Sequence, residues 1–159
     1  MCFNGYTAME FAKTACAVQA DNSYRIEIPF CRSVRLRDFL AISIAAIFGA
    51  NFRYVLSRVA AREFGPVFPY GTLIINVVGS FIVGLFMIWT TERVLVDPRW
   101  RLLVVVGFCG SFTTFSSYAF ETMSFFEQGQ WGLMLANIFG NNLLCLAGAL
   151  AGMALARAL

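Results

Sequence analysis

Positions 110–121 read GSFTTFSSYAFE, a run of small, hydroxyl, aromatic and carboxylate side chains set inside an otherwise apolar stretch. Hydroxyls donate and accept hydrogen bonds, whereas an ionised carboxylate only accepts. Thr114, Ser117 and Glu121 fall at i, i+3 and i+7, on one face of a helix. Thr72, Asn76 and Ser80 form a second stripe at i, i+4 and i+8, and Asn137, Asn141 and Cys145 form a third with the same spacing. Three stripes with a carboxylate at one end can make a polar track for an ion or polar solute. The same residue types also serve as glue, since Asn, Ser and Thr hydrogen-bond across packed helices. Gly79, Gly84, Gly148 and Gly152 suit that second use, and GALAG at 148–152 matches the GxxxG pattern.

The elements that must position these residues are four apolar segments, at about 39–57, 70–91, 102–126 and 131–155. Each is near the roughly 20 residues that a membrane-spanning helix needs. REFGPVFP, ERVLVDPRW and EQGQ connect them. The segments carry no charged face of the kind a soluble bundle requires. The predicted fold is therefore an all-α membrane domain of four transmembrane helices in a lipid bilayer. Arg53 in the first segment and Glu121 in the third are the charged residues inside the spans. A charge at the bilayer centre costs about 2.5–3.5 kcal/mol, so such groups face a partner, line a wet path or snorkel to an interface. Both readings stay open for Arg53.

In the third segment Gly107, Gly110, Ser111, Thr113 and Thr114 crowd its middle. Glycine and β-branched threonine support a continuous helix poorly. The stretch is therefore expected to unwind, flanked by Phe112, Phe115, Tyr118 and Phe120. Freed carbonyls are tolerated in a membrane only where protein, water or an ion satisfies them. Gathered at a break, they are also ligands for a metal cation.

Composition narrows the function class. Of 159 residues 59% are hydrophobic and 13% charged, about half the charged share of a soluble domain. The net charge of +3 is carried by arginines near segment ends, which speaks for membrane topology and against nucleic acid. The chain has no His, and no nucleophile–base pair or metal set is visible, so an enzyme is not expected. Cys2, Cys16, Cys31, Cys109 and Cys145 show no CxxC spacing and read as free thiols.

Residues 1–36 differ from the rest. They mix charges of both signs, lack the hydrophobic core of a signal peptide, and read as a poorly ordered extension; a start assigned too far upstream also accounts for them. The four-helix membrane domain is placed at 37–159. With four spans both termini share one side. That side holds Lys13, Arg25, Arg32, Arg35, Arg37, Arg93, Arg99, Arg101 and Arg157, against Arg58 and Arg62 on the other. The bias puts the termini in the cytoplasm, but it leans on the tail.

GFCGSFTTFSSYAFE resembles the signature GFxGGxTTFSTFxxE of the small fluoride channels called Fluc or CrcB. FGANFRYVLSR, with Arg53, is similar to that family's first helix, and PYGTLIINVVGSFIVG to its second, with Asn76 closing GTLxxN. The resemblance runs from about Leu36 to the C-terminus. It implies an antiparallel, dual-topology homodimer in the inner (plasma) membrane, with two pores that let cytosolic fluoride leave passively and so confer fluoride resistance. The two broken third helices would cross at the dimer centre, where carbonyls of Gly110 and Thr113 bind one structural Na⁺. Fluoride would pass Asn76, Phe115 and Tyr118, with Thr114, Ser117, Glu121, Asn137, Asn141 and Arg53 along the pathway. Fluoride is small and strongly hydrated, so a pore must replace its water with amide and hydroxyl donors. Ring edges carry partial positive charge and suit an anion.

Three departures stand out. Ser111 replaces the second glycine of the signature, Tyr118 its second phenylalanine, and Asn137 and Asn141 the tyrosine and serine frequent in the fourth helix. The Tyr118 hydroxyl is expected either to donate to fluoride or to bond Asn137 or Asn141. Two other functions fit the residues less well. A small multidrug-type exporter needs a carboxylate in its first helix, where this chain has Arg53. A non-transporting structural subunit explains the glycines but not the break and its stripes.

Overall fold

The computed structural model describes residues 36–93 and 97–159. The expectation of a poorly ordered extension falls almost entirely outside them. The described residues form four helical spans, each long and apolar enough to cross a membrane. Helix α1 covers Leu36–Phe64, with Asp38 in its first turn and Arg62 in its last, both matched to the helix dipole. Gly65 follows at φ 78°, a left-handed residue that stops the helix where Gly carries no Cβ penalty.

Helix α2 covers Tyr70–Ile88 and widens into a single π-helical segment at Trp89–Arg93. Arg101, from the start of the third span, clasps that end. Its Nη2 donates to the Thr90 carbonyl at 3.0 Å and to Thr91 Oγ1 at 2.8 Å.

The third span is in two pieces. Helix α3 occupies 98–112, with an α-helical turn at Pro98–Arg101, π-helical turns over Leu102–Cys109 and a last α-turn at Gly110–Phe112. Helix α4 occupies Phe115–Glu127. Between them Thr113 (φ −77°, ψ 160°) and Thr114 (φ −151°, ψ 109°) are extended. The break expected across positions 107–114 is thus confined to two residues. Gly107, Gly110 and Ser111 stay helical. Gly107 serves close packing instead, since a Cβ there would lie 2.7 Å from Ala45 Cβ and 3.0 Å from the Ile42 carbonyl. The threonines break the helix because their hydroxyls offer competing partners. Thr113 Oγ1 donates to the Cys109 carbonyl at 2.9 Å, and Thr114 Oγ1 caps α4 by accepting from Ser117 N–H at 3.2 Å.

Helix α5 covers Trp131–Ala158 after a turn closed by Gly129 at φ 69°. Its main partner is α2. The two backbones meet where Gly84 faces the Ala149 carbonyl and Gly152 the Phe81 carbonyl, contacts that leave no room for a side chain. A Cβ at Gly148 would lie 3.0 Å from the Val77 carbonyl, so the GxxxG pair Gly148 and Gly152 does act as packing surface, the geometry small residues permit between membrane helices. Helix α1 lies against α3 at Gly49 and Gly107. Much of the remaining outer surface is apolar, as at Phe39, Phe48 and Phe52. Lipid solvates such faces without penalty.

Candidate functional site

The Thr113–Thr114 break is held open from α2. Thr114 N–H donates to Asn76 Oδ1 at 2.9 Å, and Asn76 Nδ2 donates to the Thr114 carbonyl at 3.2 Å. The side-chain amide thus pairs with a peptide group as a neighbouring strand would. Thr114 N–H is the donor an unbroken helix would aim at the Gly110 carbonyl, and Ser117 N–H the one for Thr113. The first is turned to Asn76 and the second to Thr114 Oγ1. Gly79 lets α2 come this close, because an added Cβ would run into Thr113 Cγ2.

From the break a chain of amides runs head to tail. Asn76 Nδ2 also donates to Asn141 Oδ1 at 3.2 Å. Asn141 Nδ2 donates to Asn137 Oδ1 at 2.8 Å, and Asn137 Nδ2 to Thr122 Oγ1 at 2.9 Å. Thr122 Oγ1 ends the chain on the Tyr118 carbonyl at 2.7 Å. Asn137 and Asn141 are buried, at 0% and 4% exposure, so each hydrogen bond replaces water that is absent. The polar stripes of α2, α4 and α5 are brought together as rungs. Thr72 Oγ1 donates to Glu121 Oε1 at 2.6 Å, Asn76 links Thr114 and Asn141, and Ser80 and Cys145 line the same groove. Glu121 Oε2 is buried and makes no hydrogen bond to any described residue. Thr114 Oγ1 and Ser117 Oγ lie 3.0 Å apart.

A groove of about 480 Å³ opens over the break, lined by Asn76, Ser80, Phe115, Tyr118, Asn141 and Asn142 among others. Phe115 and Tyr118 meet edge to face there, with ring centroids 5.4 Å apart and planes at 60°. Phe115 is 78% exposed and stands at the outer rim, whereas Tyr118 is half-buried. Arg53 stands apart: its side chain is half-buried on α1 and makes no hydrogen bond or ion pair among the described residues.

The family profile described as "CrcB-like protein, Camphor Resistance (CrcB)" matches residues 40–153. The chain belongs to the CrcB family. It is 55% identical to the "Fluoride-specific ion channel FluC" of Koribacter versatilis (strain Ellin345) over 124 residues, 78% of this chain and 98% of that one. A protein of the same name from Sulfurihydrogenibium sp. (strain YO3AOP1) is 47% identical over 124 residues, 78% of this chain and all of the other. One from Roseiflexus sp. (strain RS-1) is 45% identical over 125 residues, 77% and 98% of the two chains.

The family resemblance leaves two details of the site that only geometry supplies. Tyr118 does not bond Asn137 or Asn141 through its hydroxyl. Those amides are committed to each other, to Asn76 and to Thr122, and the hydroxyl takes its hydrogen bond from Asn142 Nδ2 at 3.1 Å. Asn142 lies off the stripes, so helical periodicity gave no reason to include it; Thr122, eight residues after Thr114, continues the third-span stripe and was legible by the same spacing. Cys109 and Cys145 are free thiols, as their spacing suggested.

Proposed function

We propose that this chain is the subunit of a fluoride-selective channel through which cytosolic fluoride leaves the cell, giving fluoride resistance. The observation that carries the reading is the set of donors at the broken third span, in a chain 55% identical to a protein named as a fluoride-specific channel. Hydrogen fluoride enters a cell uncharged and dissociates at neutral pH, and the anion is then trapped. A negative-inside potential favours its exit by about 2.3 kcal/mol per 100 mV, so a passive pore suffices.

The physical requirement is to replace fluoride's water. Asn76, Asn141 and Thr114 line the groove with amide and hydroxyl groups that bond one another and their neighbours, so an entering anion would draw its donors from this network, and the edges of Phe115 and Tyr118 add partial positive charge. Thr72 and Ser117 extend the polar lining toward Glu121, and Asn137 supports Asn141 from behind.

The same reading makes the working unit an antiparallel homodimer in which two third-span breaks cross and share a Na⁺. Its support is the backbone of the break: Gly110 and Thr113 are among the residues whose carbonyls lose their helical donors there, those donors being turned to Asn76 and Thr114. A sodium ion held by those oxygens would supply a fixed positive charge and pin the crossing. Thr113 Oγ1 turns inward to Cys109, leaving the main chain as the ligand.

Purified protein in liposomes, loaded with fluoride or with chloride, tests the function. Rapid fluoride efflux with chloride retained is the expected result. Retention of both ions, or equal loss of both, would overturn it.

A further inference from the structure

The hydrogen bond between Asn142 and Tyr118 has a definite polarity. Asn142 Nδ2 lies 2.7 Å from the Ile138 carbonyl, which only accepts, and 3.1 Å from the Tyr118 hydroxyl. Turning the amide over would set oxygen against oxygen at Ile138, so the nitrogen must stay on that side. The nitrogen has two hydrogens, one for each contact. The Tyr118 oxygen is therefore an acceptor here, and its own proton must point elsewhere. Among the described residues that proton meets no acceptor, and Tyr118 and Asn142 both line the groove beside Asn76 and Phe115.

The geometry points to Asn142 as a positioning residue that fixes the rotor of the Tyr118 hydroxyl so that its O–H donates to an anion in the groove. Phenylalanine at 118 would offer only a ring edge, whereas this pair adds a charge-assisted donor of the stronger kind. Donation from Asn142 also polarises the phenol and strengthens what it gives. This inference rests on the fluoride-channel reading.

The test is a double-mutant cycle on fluoride efflux from liposomes, using wild type, Tyr118→Phe, Asn142→Leu and the double variant. Each single change is expected to slow efflux by about two- to tenfold, the range of one net hydrogen bond. The double variant should be no slower than Tyr118→Phe, because Asn142 acts through a hydroxyl that is no longer there. Independent, multiplying losses, or an Asn142→Leu rate equal to wild type, would overturn the assignment.

A second measurement keeps the idea testable if Asn142→Leu does not fold. In protein with ring-labelled tyrosine, fluoride should shift the infrared phenol C–O band of wild type, and the shift should vanish in Tyr118→Phe. A shift unchanged by Tyr118→Phe would overturn the donor role. Wild type that shows the shift but passes no fluoride would sink the channel reading and leave the donor standing.

Discussion

Replacing Asn76 by leucine, a side chain of similar size, removes every hydrogen bond by which α2 holds the break open. Thr114 N–H loses its acceptor at 2.9 Å, the Thr114 carbonyl loses its donor at 3.2 Å, and Asn141 Oδ1 loses its donor at 3.2 Å. Thr114 and Asn141 are 8% and 4% exposed, so water replaces little of this. Three hydrogen bonds of this kind amount to about 2–3 kcal/mol, counting the stranded buried groups at the low end of their cost. The chain can recover part of it by turning Thr114 N–H back to the Gly110 carbonyl, which reseals the helix. Either outcome removes the amide at the centre of the groove. Fluoride efflux from liposomes is expected to fall by about a hundredfold or more, the equivalent of roughly 2.7 kcal/mol in barrier. Melting in detergent micelles should be lowered as well. An Asn76→Leu protein that melts like wild type and conducts within about tenfold of it would refute the role of this amide as the clamp of the break.

Other expectations use the same assays. Within one subunit a Cβ at Gly110 meets only the Val105 carbonyl, at 3.6 Å, whereas one at Gly79 collides with Thr113. Gly110→Val should therefore fold yet fail to dimerise or conduct, and Gly79→Val should lose stability in the subunit itself. A dimeric, active Gly110→Val would place the crossing elsewhere. Thr72→Val strips Glu121 of its 2.6 Å donor and should cost about 1–3 kcal/mol of stability; unchanged melting would count against that rung. Tyr118→Phe should keep efflux within about tenfold, while Phe115→Ala loses far more because no ring edge remains. The opposite order would exchange the roles of the two aromatics. Cysteine labelling at the C-terminus in cells should find it on both sides of the membrane, and labelling on the cytoplasmic side alone would exclude dual topology.

By itself the sequence determined the architecture. Four apolar runs of spanning length leave a bilayer as their only suitable solvent, and helix is the only structure in which single segments of that length satisfy their own backbone there. The TTFS stretch marked the broken span, and the stripes at i, i+4 named Asn76, Asn137 and Asn141, because a helix projects equal spacings onto one face. The width of the break was decided by the tertiary structure. Gly107 and Gly110 have poor helix propensity, yet both stay helical. Gly107 is pressed against Ile42 and Ala45, and the extended backbone at Thr114 finds its partner on another helix, at Asn76. Tertiary packing also drew Asn142 into the polar network. Asn142 sits beside Asn141 in sequence but points along another direction, about 100° around the helix, and meets a tyrosine 24 residues away. Periodicity reports which residues share a face. Which faces meet, and in what register, depends on where the glycines allow two backbones to touch, and no single helix carries that information.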